Sequence, residues 1–161
     1  MKNSINALHY CIYITFCSID QCSKKINPFV YLFRLPPLKR RQRKLGIDIE
    51  QVVDRVFADP RFGFNIVYAD AAIVGVLFLL LMSAVLLLHK LQFIEQALQP
   101  VHFLVVAIVA YVICYFLVFK NDESLRYFSR FQNWPRRKQV MYQLFSMMFI
   151  IFVVVLFFLS L

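Results

Sequence analysis

Residues 71–88 read AAIVGVLFLLLMSAVLLL, without a single charge. A hydrocarbon core about 30 Å thick takes about 20 helical residues at about 1.5 Å each. Residues 68–70 or His89 complete that length. Lipid offers no partners to an open backbone, so a segment this apolar crosses as a helix. Two more charge-free stretches follow, 101–119 (VHFLVVAIVAYVICYFLVF) and 140–161 (VMYQLFSMMFIIFVVVLFFLSL). The alternative is three buried helices of a large soluble core. Nothing else in the chain could cover them.

Composition agrees. Of the 161 residues, 61% are hydrophobic and 17% charged, with 18 Phe. A soluble domain averages about 45–50% apolar and about 25% charged. A disordered chain, a disulfide scaffold and an ordinary cytosolic domain are excluded. The sequence predicts an all-α integral membrane protein with three transmembrane helices and short amphipathic cytoplasmic helices. The expected segments are 1–38 (poorly defined, with apolar patches), 39–60 (basic run plus surface helix), span 67–90, outer loop 91–100, span 101–119, basic loop 120–139 and span 140–161.

Charge sets the expected orientation. Residues 1–66 carry 11 Lys and Arg against 5 Asp and Glu, and residues 120–139 carry 6 against 2. The loop 89–100 carries only Lys90 and Glu95. The positive-inside rule then puts the N-terminus in the cytoplasm and the C-terminus outside, in the cell membrane.

Two basic runs should meet the inner surface. Lys39, Arg40, Arg41, Arg43 and Lys44 precede IEQVVDRVFA, in which Ile49, Val52, Val53, Val56 and Phe57 recur at helical spacing. Asp48 is the expected cap and Pro60 the stop. Arg136, Arg137 and Lys138 adjoin the third span. Both runs suit anionic lipid head groups, so the expected partners are the lipid bilayer and its anionic heads. Docking to protein is the alternative for the first run. Nucleic acid would also attract it, but no recognition module surrounds it. In the second loop, Asn121 or Asp122 can cap a helix carrying Leu125, Phe128 and Phe131. Arg126 and Arg130 there form an i, i+4 pair suited to phosphates, and Trp134-Pro135 ends the segment. In the outer loop, Leu91, Ile94 and Leu98 fall at helical spacing.

Residues 7–17 (ALHYCIYITFC) are too short to span and have the length of a signal-peptide core. No small-x-small cleavage site follows, so a surface or protein-packed segment is expected. A cleaved signal is one alternative. The other is an over-extended start, which would need a non-AUG codon, for example at Val30 or Leu32.

The spans lack Asp, Glu, Lys and Arg in their apolar cores, which argues against a proton relay. Asp70 reads as a helix cap, with a functional carboxylate as the alternative. His102 reads as an interfacial residue. The cysteines lack CxxC spacing and no HExxH occurs, so no metal, cofactor or catalytic residue is expected and the thiols should be free. Ala107, Ala110, Tyr111 and Cys114 form the expected packing face of the second span, and Ala71 and Gly75 a small-xxx-small pair on the first. A lipid- or substrate-facing groove containing Tyr111 is the alternative. No family motif stands out. The leading functional expectation is a non-catalytic accessory or interaction subunit of a homo-oligomer or larger membrane complex. An oligomeric channel, permeabilising or transport protein is second.

Overall fold

A computed structural model describes residues 2–26, 35–46, 48–91, 99–120 and 123–161, excluding the side chains of Arg43, Glu50 and Glu123. Of the structure, 90% is helical and the described residues contain no strand. The helices are α1 (Lys2–Ile26), α2 (Pro36–Leu45), α3 (Ile49–Ala58), α4 (Phe64–Lys90), α5 (Pro100–Cys114), α6 (Glu123–Gln132) and α7 (Arg136–Ser160). A π-helical turn, Tyr115–Phe119, continues α5. Among the described residues three helices are long and apolar enough to cross a membrane: Phe64–Lys90, Pro100–Phe119 and Arg136–Ser160. The chain is an all-α membrane protein.

The helix ends follow local chemistry. Gly46 closes α2 with φ 63°, a left-handed conformation that glycine adopts without a Cβ penalty. Asp48 opens α3, its Oδ1 accepting the Gln51 amide at 3.4 Å. Asp59 then folds the chain back, its Oδ1 accepting the amides of Arg61 (2.7 Å) and Phe62 (3.3 Å). This turn packs tightly. A Cβ on Gly63 would sit 2.5 Å from the Asp59 carbonyl oxygen and 2.7 Å from that of Phe57. Pro100 begins α5, where its missing N–H costs nothing. His102 Nδ1 accepts the Gln99 amide at 2.9 Å, so this interfacial histidine helps fix the helix start.

The structure extends several sequence-defined segments. The first spanning helix starts at Phe64, because the Asp59–Gly63 turn is what interrupts the chain. The third starts at Arg136, so its three basic residues form the first helical turn. The N-terminal segment is one continuous 25-residue helix. It buries Asn6, Ala7, His9, Tyr10, Cys11, Ile12 and Tyr13. The expected caps Asn121 and Asp122, the outer-loop residues Ile94 and Leu98, and the alternative starts Val30 and Leu32 lie outside the described residues.

The chain divides into two compact units, one of Met1–Ile12 with Asp70–Leu161 and one of Tyr13–Ala69. In the first, Ile73, Val76, Met82 and Leu86 are buried along α4, and Ala110, Cys114 and Val118 along the C-terminal half of the second span. The α6 residues Phe128 and Phe131 are buried with them. In the second, the Tyr13 hydroxyl donates to the Ala58 carbonyl at 2.8 Å, and Asn65 Nδ2 lies 3.6 Å from Cys17 Sγ. Phe57 packs against Phe64 at 5.3 Å between ring centroids.

Candidate functional site

The first two turns of α1 carry an unusual pair of buried polar side chains, Asn6 and His9, both fully enclosed. Spaced three apart, they share one helix face. Asn6 Nδ2 donates to its own helix at the Lys2 carbonyl (2.9 Å) and to the Leu117 carbonyl (3.0 Å). Leu117 lies in the π turn. Such a turn shifts backbone pairing by one residue and recurs at functional sites. Here it supplies a carbonyl that accepts a side chain from another helix.

His9 Nε2 lies 2.8 Å from Asp70 Oδ1. The contact is close, but its angles are not those of a hydrogen bond. The histidine side chain is 0% exposed and the carboxylate 39%. The Phe119 ring stands edge-on to the imidazole at 6.3 Å, and Phe128 lies tilted at 5.2 Å. His9 Nδ1 and Asn6 Oδ1 have no hydrogen-bond partner among the described residues. Such a pair can hold or hand over a proton, and it can tie α1 to the base of α4. Asp70 therefore does more than begin an apolar stretch: it faces a buried histidine 61 positions earlier. Sequence reading missed this because His9 sits inside an apolar run, where a lone histidine carries no spacing signal.

The buried serines of the spans also have partners. Ser83 and Ser160 donate back to the carbonyls of Leu79 and Phe157 at 2.7 Å each. Ser146 bonds to Cys11. Among the described residues, no group of three or more His, Cys, Asp or Glu could hold a metal ion.

The expected packing residues separate. Ala110 and Cys114 are buried, whereas Ala107 and Tyr111 are exposed. Ala107 shares a face with Cys114, but burial on that helix is confined to its C-terminal part. On α4, Ala71 is exposed, and a Cβ on Gly75 would meet nothing within 4 Å. Among the described residues, Gly75 therefore makes no close approach.

The expected surface residues also differ in setting. Lys39, Arg40, Arg41 and Lys44 are exposed on α2, and the Arg43 side chain lies outside the described set. Arg136, Arg137 and Lys138 are exposed on the first turn of α7. Lys138 Nζ sits over the Trp134 ring at 4.3 Å, a cation–π distance, and 5.9 Å from the Tyr142 centroid. On α3, Val52 and Val56 are exposed, while Ile49, Val53 and Phe57 are half-buried.

No protein-family model matches the chain, and neither do curated proteins or solved structures.

Proposed function

We propose that this membrane protein is a non-catalytic accessory or interaction subunit of a larger membrane assembly. The carrying observation is the uncovered second span. From Pro100 to Val109 no residue is buried, and Phe103, Leu104, Val105, Ile108 and Val109 are all exposed. Across the most apolar stretch of each span only 22%, 17% and 17% of the residues are buried. Helices associate in lipid through close packing of small residues rather than hydrophobic drive. Ala71, Gly75 and Ala107 leave such surface unused in this chain. The basic residues of α2 and α7 fit an anionic inner leaflet. Their distribution supports a cytoplasmic N-terminus and an external C-terminus in the cell membrane.

Purification of the full chain in mild detergent tests the reading. A stoichiometric partner that photo-crosslinks to a probe at Ile108 is the expected result. Homo-oligomers that conduct ions in vesicles would replace it with the channel or transport reading, which draws on the buried His9 beside the half-exposed Asp70. Cysteine labelling after Lys90, Arg130 and Leu161 tests the orientation. Labelling at Arg130 from outside would overturn it.

A further inference from the structure

The first unit contains a groove of about 690 Å³. That is within the range of about 300–1,000 Å³ typical of small-molecule sites. Its walls are aliphatic and aromatic, drawn from α1, all three spans and α6, and include Leu8, Val76, Leu80, Ile113 and Phe149. Asn3, Ser4 and Ser146 also line it, as do Arg130 and Lys138, with Trp134 and Tyr142. Among the described residues, no carboxylate lines the groove. Among the described residues, neither Arg130 nor Lys138 makes an ion pair.

The dimensions identify an occupant. Lys138 and Phe149 lie on one helix, 11 residues apart, or about 16 Å at about 1.5 Å per residue. Half of a hydrocarbon core about 30 Å thick is about 15 Å. The groove thus runs from the headgroup level to about the bilayer midplane, the depth of one leaflet. Trp134 and Tyr142 are residues of the interfacial belt, and Trp134 holds the Lys138 ammonium at 4.3 Å. Arginine presents a fork of donors that matches a phosphate, and lysine adds a point charge.

We infer that this groove seats one anionic phospholipid, its phosphate held by Arg130 and Lys138 and an acyl chain lying along the apolar walls. The site requires the membrane reading but not the accessory role, because it lies within this single chain. A zwitterionic lipid would bring its own cation to a rim already carrying two. A fatty acid would offer a carboxylate in place of the phosphate for which the Arg130 fork is suited.

The test uses the full chain in nanodiscs of phosphatidylcholine with graded phosphatidylglycerol, with bound lipid counted by native mass spectrometry. One retained phosphatidylglycerol per chain is expected. Each lost rim charge should weaken it about fivefold, so Arg130→Gln with Lys138→Gln should weaken it about 25-fold. Arg136→Gln with Arg137→Gln removes the same charge from residues that do not line the groove. It should change retention less than about threefold. Leu8→Trp, or Leu80→Trp from a different helix, should expel the lipid while keeping both charges. Helix content by circular dichroism confirms that the variants fold, and a filling variant that loses helicity is replaced by the other. Equal retention of phosphatidylcholine and phosphatidylglycerol overturns the proposal. So does an equal loss in the two charge variants, which marks diffuse surface attraction. Retention of lipid by the folded filling variants overturns it too, as does displacement of phosphatidylglycerol by an equimolar fatty acid.

Discussion

The two compact units place their charged contacts differently. In the unit of Met1–Ile12 and Asp70–Leu161, Asn6 and His9 are hidden and their contacts join distant parts of the chain. The unit of Tyr13–Ala69 also buries Tyr13 and Asn65, but its ion-pair link is more open: Lys24 bridges Asp20 at 2.6 Å and Asp54 at 2.7 Å. The 2.7 Å contact reaches a carboxylate side chain that is 62% exposed. Water competes more for the Asp54 carboxylate than for the enclosed His9 imidazole, whose Asp70 partner is 39% exposed. The same number of close polar contacts therefore carries different weight in the two units, because an enclosed polar group that loses its partner has no solvent to replace it.

The cysteines allow each unit to be read separately. Cys11 is buried in the first and Cys17 half-buried in the second, while Cys22 is exposed and serves as a control. Burial pushes the Cys17 thiol up, with hydrogen bonds from Tyr13 and Asn65 offsetting part of the rise. Thiolate is the reactive form, so Cys17 should react with maleimide more slowly than Cys22.

The largest expected effect is at His9. Asp70→Ala removes the carboxylate 2.8 Å from an enclosed imidazole that has no hydrogen bond among the described residues, and should destabilise the first unit by up to about 3 kcal/mol. Cys11 labelling should rise steeply, and Asp70→Asn should be milder. Unchanged Cys11 protection would mean that the pair holds nothing together. Gly63→Ala comes next. Its Cβ meets two backbone carbonyl oxygens that cannot swing away. A cost of about 2 kcal/mol is expected, as for other overpacked sites. It should appear as faster Cys17 labelling, with Cys11 protected as before.

Gly75→Leu separates intrachain from interchain roles. A Cβ there has open space, so neither cysteine should change. Assembly with partner helices should weaken more than in Leu79→Ile, which nearly conserves volume. Equal assembly of both variants would remove Gly75 from any interface.

The smallest effect belongs to Lys24. Burial opposes its charge, but hydrogen bonds to and attraction from Asp20 and Asp54 outweigh that and raise its pKa above the ordinary 10.5. A pKa raised by folding contributes stability fully below the unfolded value and loses it as pH climbs through the folded one. Lys24→Met should therefore cost about 0.2–1 kcal/mol in urea titrations, constant between about pH 6 and 9, and fading above 10.5. A deficit that grows on acidification would assign the linkage to other groups.

Local reading succeeded where neighbours in sequence do the work. The α3 helix runs Ile49–Ala58 behind Asp48, and α6 stops at Gln132 shortly before Trp134-Pro135. It failed where partners are far apart. Asn6 meets Leu117 across 111 positions, through a π turn that nothing in YFLVF announces. The Ala107 and Cys114 positions look alike on a helical wheel. Only the extent of neighbouring helices separates the exposed alanine from the buried thiol.

The sequence by itself determined the membrane class and the three apolar spans. Those depend on transfer free energy summed along the chain, which is local and additive. Only the tertiary structure decided that His9 faces Asp70, that Asn6 reaches the π turn, and that Arg130 and Lys138 share the rim of one groove. Those depend on which helix faces meet. Several apolar faces of similar character leave that choice open until the side chains pack.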